Sequence, residues 1–123
     1  MSKLNVNTFR VGNGVDAHPL VKGRKLILGG VHIPHDYGCE GHSDGDVLIH
    51  SIIDAILGAL NIGDIGDHFP SSDDELEGVS SITLLKDIYN KHFKHDRHIA
   101  NIDSTIMIQE PIIKPYIEKM KEN

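Results

Sequence analysis

Asp16-Ala17-His18 places a carboxylate and an imidazole two residues apart. On an extended backbone such residues share a face, so one oxygen and one nitrogen can converge on a single ion. A third nitrogen from a packed helix would complete a three-ligand set with an open fourth position, the arrangement that holds catalytic zinc. The chain offers that helix. Val47, Leu48, Ile49, Ile52, Ile53, Ile56, Leu57 and Leu60 are apolar nearly all round the helical period, and among them Asp46, His50 and Asp54 recur at i, i+4, i+8 on one face. A polar stripe on a buried helix must find partners, because an unpaired buried carboxylate is prohibitive. His50 is the natural third ligand, with Cys39, His42 and His68 competing on spacing alone. The plainer reading of the same residues is a capping Asp46, a hydrogen-bonded core His50 and a surface His18.

Charge distribution favours an ion. The chain has 123 residues with 12 Lys+Arg against 18 Asp+Glu, for a net charge of −6. From Leu26 to Leu85 there is no Lys or Arg, whereas carboxylates recur from Asp36 to Glu77 and five of the nine His fall in the same stretch. Such a region would repel itself and any anionic ligand unless cations sit in it. The acidic balance excludes a nucleic-acid binder, which needs clustered Lys and Arg. No apolar run approaches a membrane span. The single Cys39 excludes a disulfide scaffold and points to a reducing compartment. No targeting signal is visible between Met1 and Arg10. The expected location on these grounds is a cytoplasm-like reducing compartment.

Length and apolar content fit one domain spanning 1–123 with a modest core. Residues 9–18 are expected to be extended, with Gly12 and Gly14 allowing close backbone approach. Residues 25–28 and 31–34 flank Gly29-Gly30, a two-residue hairpin signal. The helix over 47–60 follows Ser43-Asp44-Gly45-Asp46, an S-x-x-D capping pattern. Gly41-His42-Ser43 then lies by a helix N-terminus, where an anion is favoured. A second helix is predicted from Ser80 or Ser81 to Phe93, and a half-buried strand over 102–109. A final amphipathic turn or two should carry Ile113, Tyr116, Ile117 and Met120. These elements make an α+β layered sheet-and-helix domain.

The D-x-H after a Gly-x-Gly, then G-H-S-D-G-D-V-L-x-H-x-x-x-D-A-x-L-G-A over 41–59 and G-D-I-G-x-x-F-P over 63–70, resembles the 2-C-methyl-D-erythritol 2,4-cyclodiphosphate synthase family in order and spacing. The resemblance implies a lyase of non-mevalonate isoprenoid biosynthesis. It implies an α+β homotrimer with active sites between subunits, converting 4-diphosphocytidyl-2-C-methyl-D-erythritol 2-phosphate to the cyclic diphosphate and CMP. On this likeness Asp16, His18 and His50 bind zinc, with a substrate β-phosphate oxygen as fourth ligand. His42 is the catalytic residue that stabilises the transition state, and His42 and Ser43 contact phosphate and methylerythritol. Asp64, Ile65 and Gly66 address the ribose, while Phe69, Pro70, Ser71, Ser72 and Asp73 line the methylerythritol side. Ile108, Gln109, Glu110 and Pro111, with Ile112, Ile113 and Lys114, match a cytosine pocket supplied by the neighbouring subunit.

Two positions depart from the family pattern: Ser71 stands where Asp is frequent, and Ile112 where Lys is frequent. The family also holds a second divalent cation, magnesium or manganese, through the Glu of a T-T-x-E segment that does not occur in these 123 residues. Slow CMP release is expected without that Glu, unless Asp46, Asp54 or Asp73 supplies its role. The same ligands in a zinc-dependent phosphohydrolase would activate a water. An inactive metal-binding relative would bind without turnover.

Overall fold

The computed structural model describes residues 9–94 and 97–123. The reading of the N-terminus for a targeting signal therefore falls mostly outside the described residues. The all-round apolar segment forms α1, Val47–Ala59, and the second periodic segment forms α3, Ser81–His92, with Ser80 at its N-cap. Ile49, Ile53, Ile56 and Leu57 of α1 pack against Leu84 and Ile88 of α3. Each such side chain contributes about 1.5–3 kcal/mol by leaving water. Between the helices lie a short α2, Ile65–His68, and a single 3-10 turn over Asp74–Leu76.

A second apolar cluster belongs to the hairpin. Strands β2, Leu26–Leu28, and β3, Val31–Ile33, pair antiparallel with Leu26 opposite Ile33 and Leu28 opposite Val31. All four side chains are buried, with Cys39 beside them. The turn requires positive φ at both of its residues, which Gly29 at 58° and Gly30 at 76° supply without a Cβ clash. Flanking this hairpin, β1, Leu20–Lys22, pairs antiparallel with β4, Tyr37–Cys39, in a separate two-stranded ladder. The sheet layer thus consists of one hairpin nested within the connection of another pair.

Two expectations are corrected. Residues 102–109 form no strand: Ile106 and Ile108 do pack on the hairpin cluster, but Ile102 and Met107 are exposed and the segment has no ladder partner among the described residues. Alternation without a partner gains no inter-strand hydrogen bonds. Residues 9–18, expected to be extended, enter no ladder before β1. The α1 cap is Asp46 and not Ser43, since the Asp46 side chain accepts from Ile49 N. The final element comprises a 3-10 turn, Lys114–Tyr116, running into α4, Ile117–Glu122, with Tyr116 and Met120 against the hairpin cluster.

Candidate metal centre

The polar stripe of α1 divides its labour. Asp46 is fully buried, and its carboxylate accepts from Gly29 N at 2.9 Å, Gly30 N at 2.7 Å and Ile49 N at 3.1 Å. It joins the hairpin turn to the first turn of the helix. Burial pushes its carboxyl above the ordinary range, with the three N–H donors offsetting only part of that cost. One helical turn on, His50 is buried, with Nδ1 toward Asp16 and Nε2 toward two hydroxyls. One turn further, Asp54 accepts from Ile65 N at 2.7 Å and fixes the start of α2. The capping reading therefore holds for Asp46, and the ligand reading remains open to His50.

The segment bearing Asp16 and His18 reaches His50 because two glycines let it lie directly on α1. A Cβ on Gly12 would stand 1.7 Å from Ala55 O, and one on Gly14 would stand 1.9 Å from Ser51 O. Ser51, Ala55 and Ala59 present small side chains at helical spacing beneath that path. At its end, Asp16 Oδ2 lies 2.7 Å from His18 Nε2 and 3.2 Å from His50 Nδ1. Burial alone would raise the Asp16 carboxyl. The His50 hydrogen bond, together with the charge and hydrogen bond of His18, outweighs that and holds it below the usual carboxylate value.

One donor atom from each of Asp16, His18 and His50 lies within 4.8 Å of the others, the one such group among the described residues. One carboxylate oxygen and two imidazole nitrogens suit a divalent first-row ion, and three protein ligands leave a coordination position open. The residues therefore fit a metal. The competing third ligands are occupied elsewhere: Cys39 is buried in the hairpin cluster, His42 Nε2 is 2.8 Å from Asp73 O, and His68 Nε2 is 2.9 Å from Ile62 O. Asp46, Asp54 and Asp73, considered for a second cation, each hold backbone N–H groups.

Beside the triad opens a pocket of about 220 Å³ bordered by His18, His42, Ser43, His50, Ile65, Gly66, Phe69 and Ser71. Most of the expected substrate residues near the triad thus meet there. Asp64 uses its carboxylate in a reciprocal capping box with Asp67, Pro70 and Ser72 are exposed, and Asp73 caps the 3-10 turn. The structure does not bring Ile108 to Lys114 to this pocket. Ile108 and Ile113 pack on the hairpin cluster, while Gln109, Glu110, Ile112 and Lys114 are exposed.

Two residues that the sequence reading passed over organise the pocket wall. Arg24 donates to Gly41 O at 2.8 Å and Ser43 O at 3.0 Å, holding the loop before α1. Its signal was its place as one of the last cations before the cation-free stretch. Ser81, read only as a possible cap, has its hydroxyl between Asp44 and His50. At the α1 N-terminus, where an anion is expected, the chain's own Asp46 carboxylate accepts from Ile49 N.

The YgbB family pattern matches residues 9–123. Over 115 residues the chain is 56% identical to the 2-C-methyl-D-erythritol 2,4-cyclodiphosphate synthase of Clostridioides difficile, covering 94% of this chain and 71% of that protein. The enzyme of the same name from Fusobacterium nucleatum is 54% identical, with 94% and 72% covered. Among solved structures, the bifunctional IspDF of Campylobacter jejuni aligns with a TM-score of 0.85 at 40% identity, over 94% of this chain and 31% of that one. Plasmodium falciparum IspF in its CDP complex aligns at 0.75 and 33% identity, over 94% and 70%. A family pattern that runs from the D-x-H segment to the last residue, with identities above one half, settles the kinship: the chain belongs to the YgbB family.

Proposed function

We propose that the chain is a 2-C-methyl-D-erythritol 2,4-cyclodiphosphate synthase, a lyase of isoprenoid precursor biosynthesis that closes a cyclic diphosphate and releases CMP. The observation that carries this reading is the convergence of Asp16, His18 and His50 within 4.8 Å beside the His42–Ser43 pocket. Zinc is the proposed ion, held by those three side chains. Bound there, it would act as a Lewis acid on a phosphate oxygen and offset the charge of Asp16 and of the phosphates.

The substrate's 2-phosphate is already an anionic nucleophile at neutral pH, so ring closure needs positioning and charge compensation more than a general base. Arg24 holds the loop that presents His42 and Ser43. Nε2 of His42 donates to Asp73 O, which fixes the ring at the edge of the pocket where a phosphoryl group would bind. Ser43 would bind phosphate. Asp64, Ile65 and Gly66 are proposed to contact the ribose, and Phe69, Pro70, Ser71, Ser72 and Asp73 the methylerythritol. Because Ile108, Gln109, Glu110, Pro111, Ile112, Ile113 and Lys114 lie outside the pocket of their own chain, their role as a cytosine subsite requires a neighbouring copy. This supports a homotrimer with active sites between subunits. A second cation, magnesium or manganese, is proposed to supply charge compensation to the diphosphate; Asp46, Asp54 and Asp73 are not assigned to it, since each already holds a backbone N–H.

The test is product analysis with the diphosphocytidyl substrate, zinc and magnesium. CMP together with a cyclic diphosphate is expected, abolished by His50→Ala. Inorganic phosphate as the product would establish a hydrolase, and zinc binding without turnover an inactive relative. A single-chain mass by light scattering would overturn the trimer.

A further inference from the structure

The hydroxyl of Ser81 donates its only proton to Asp44 Oδ1, because an ionised carboxylate can only accept. Its oxygen, 2.8 Å from His50 Nε2, is then left with lone pairs alone. Nε2 must therefore carry a hydrogen, so when an ion replaces the proton that Nδ1 shares with Asp16, the lone pair it meets is on Nδ1. We infer that Ser81, oriented by Asp44, is a positioning residue that fixes the His50 tautomer and makes Nδ1 the ligating atom.

The surroundings are built for this. Ser81 is fully buried at the first turn of α3, and Asp44 Oδ2 also accepts from Ser81 N at 2.9 Å, so donor and acceptor are held by one helix end. The link joins α3 to α1 across the core. Ser43 Oγ, 3.0 Å from the same Nε2, does not impose the tautomer, because its hydroxyl is free to donate or accept. A hydrogen-bonded outer partner of a ligating imidazole is commonly worth ten- to a hundredfold in metal affinity.

The inference rests on the metal reading of the site, and two measurements keep their failures apart. The first is zinc affinity of the full chain by competition with a chromophoric chelator. Ser81→Ala, which removes the hydroxyl but keeps the backbone N–H to Asp44, should weaken binding about ten- to a hundredfold, with Ser81→Thr restoring most of it. Parent-like affinity in Ser81→Ala would overturn the inference while leaving the metal site intact. The second is the nitrogen chemical shifts of His50 in the zinc-loaded protein, where the ring is neutral and one nitrogen is given to the ion. The parent should show a single tautomer with Nε2 protonated, and Ser81→Ala a mixture. A mixture already in the parent would overturn the inference although the metal binds, and thermal unfolding of the metal-free variant separates simple loss of fold from loss of orientation.

Discussion

Gly14→Ala should damage the metal site more than the fold. A Cβ at residue 14 would stand 1.9 Å from Ser51 O, against a floor of 3.0 Å for real contacts, so the backbone must give by at least 3.0 − 1.9 = 1.1 Å. The obstacle is the main chain of α1, which cannot swing aside as a side chain can. Two residues later stands Asp16, with its carboxylate 3.2 Å from His50 Nδ1. Metal-ligand distances tolerate about 0.2 Å, so a lift of this size removes the D-x-H donors from register or stores strain of about 1–3 kcal/mol. At about 1.4 kcal/mol per tenfold, zinc affinity should fall roughly five- to 150-fold. Gly58→Ala is the internal control, since that glycine lies within α1 and its Cβ would meet nothing within 4 Å. It should stabilise the fold by about 0.5–1 kcal/mol and leave affinity unchanged. Chelator competition and urea unfolding of the metal-free proteins provide both readouts. Undiminished zinc affinity in Gly14→Ala would show that the D-x-H segment is not held by its contact with α1.

His50→Ala should abolish binding of about one zinc per chain, whereas Cys39→Ser should retain it; elemental analysis after dialysis distinguishes them. Asp46→Ala leaves the N–H groups of Gly29, Gly30 and Ile49 without their acceptor and should cost about 1–3 kcal/mol in urea unfolding, with little change in the metal-loaded spectrum. In metal-free protein, Asp16 has a folded-state pKa below its unfolded value. Its stabilising contribution is therefore present above about pH 4 and is lost as pH falls through the lower folded value. Asp16→Asn should flatten that acid limb in a series of unfolding curves at stepped pH.

The parts of the fold legible in the sequence are those whose signal is local. Gly29-Gly30 between two apolar triplets dictates a hairpin, and the apolar period over α1 dictates a buried helix. The D-x-H spacing and the His50 position on that helix make this triad the natural ligand set, but Cys39, His42 and His68 compete on spacing, and only the close approach that Gly12 and Gly14 allow brings the three together. β1 and β4 escaped because each is three residues long and its partner lies across the inserted hairpin. The strand expected over 102–109 illustrates the converse: its alternation is genuine at Ile106 and Ile108, but a ladder is a property of two segments. Ser81 was equally hidden. A serine at a helix start reads as a cap, and only the packing of α3 on α1 reveals that its hydroxyl meets an imidazole.

The face of α1 bearing Asp46, His50 and Asp54 behaves as a ratchet with three teeth. One tooth engages the hairpin turn, one the triad, and one the first amide of α2, spread over eight residues or about 12 Å of axis. Rotation of the helix or a slip by one turn would disengage all three together. Opening of the site by such a motion should be cooperative. The amides of Gly29, Gly30 and Ile65, remote in sequence, should then exchange with solvent as one unit, slowed in common when an ion links the middle tooth to the D-x-H segment.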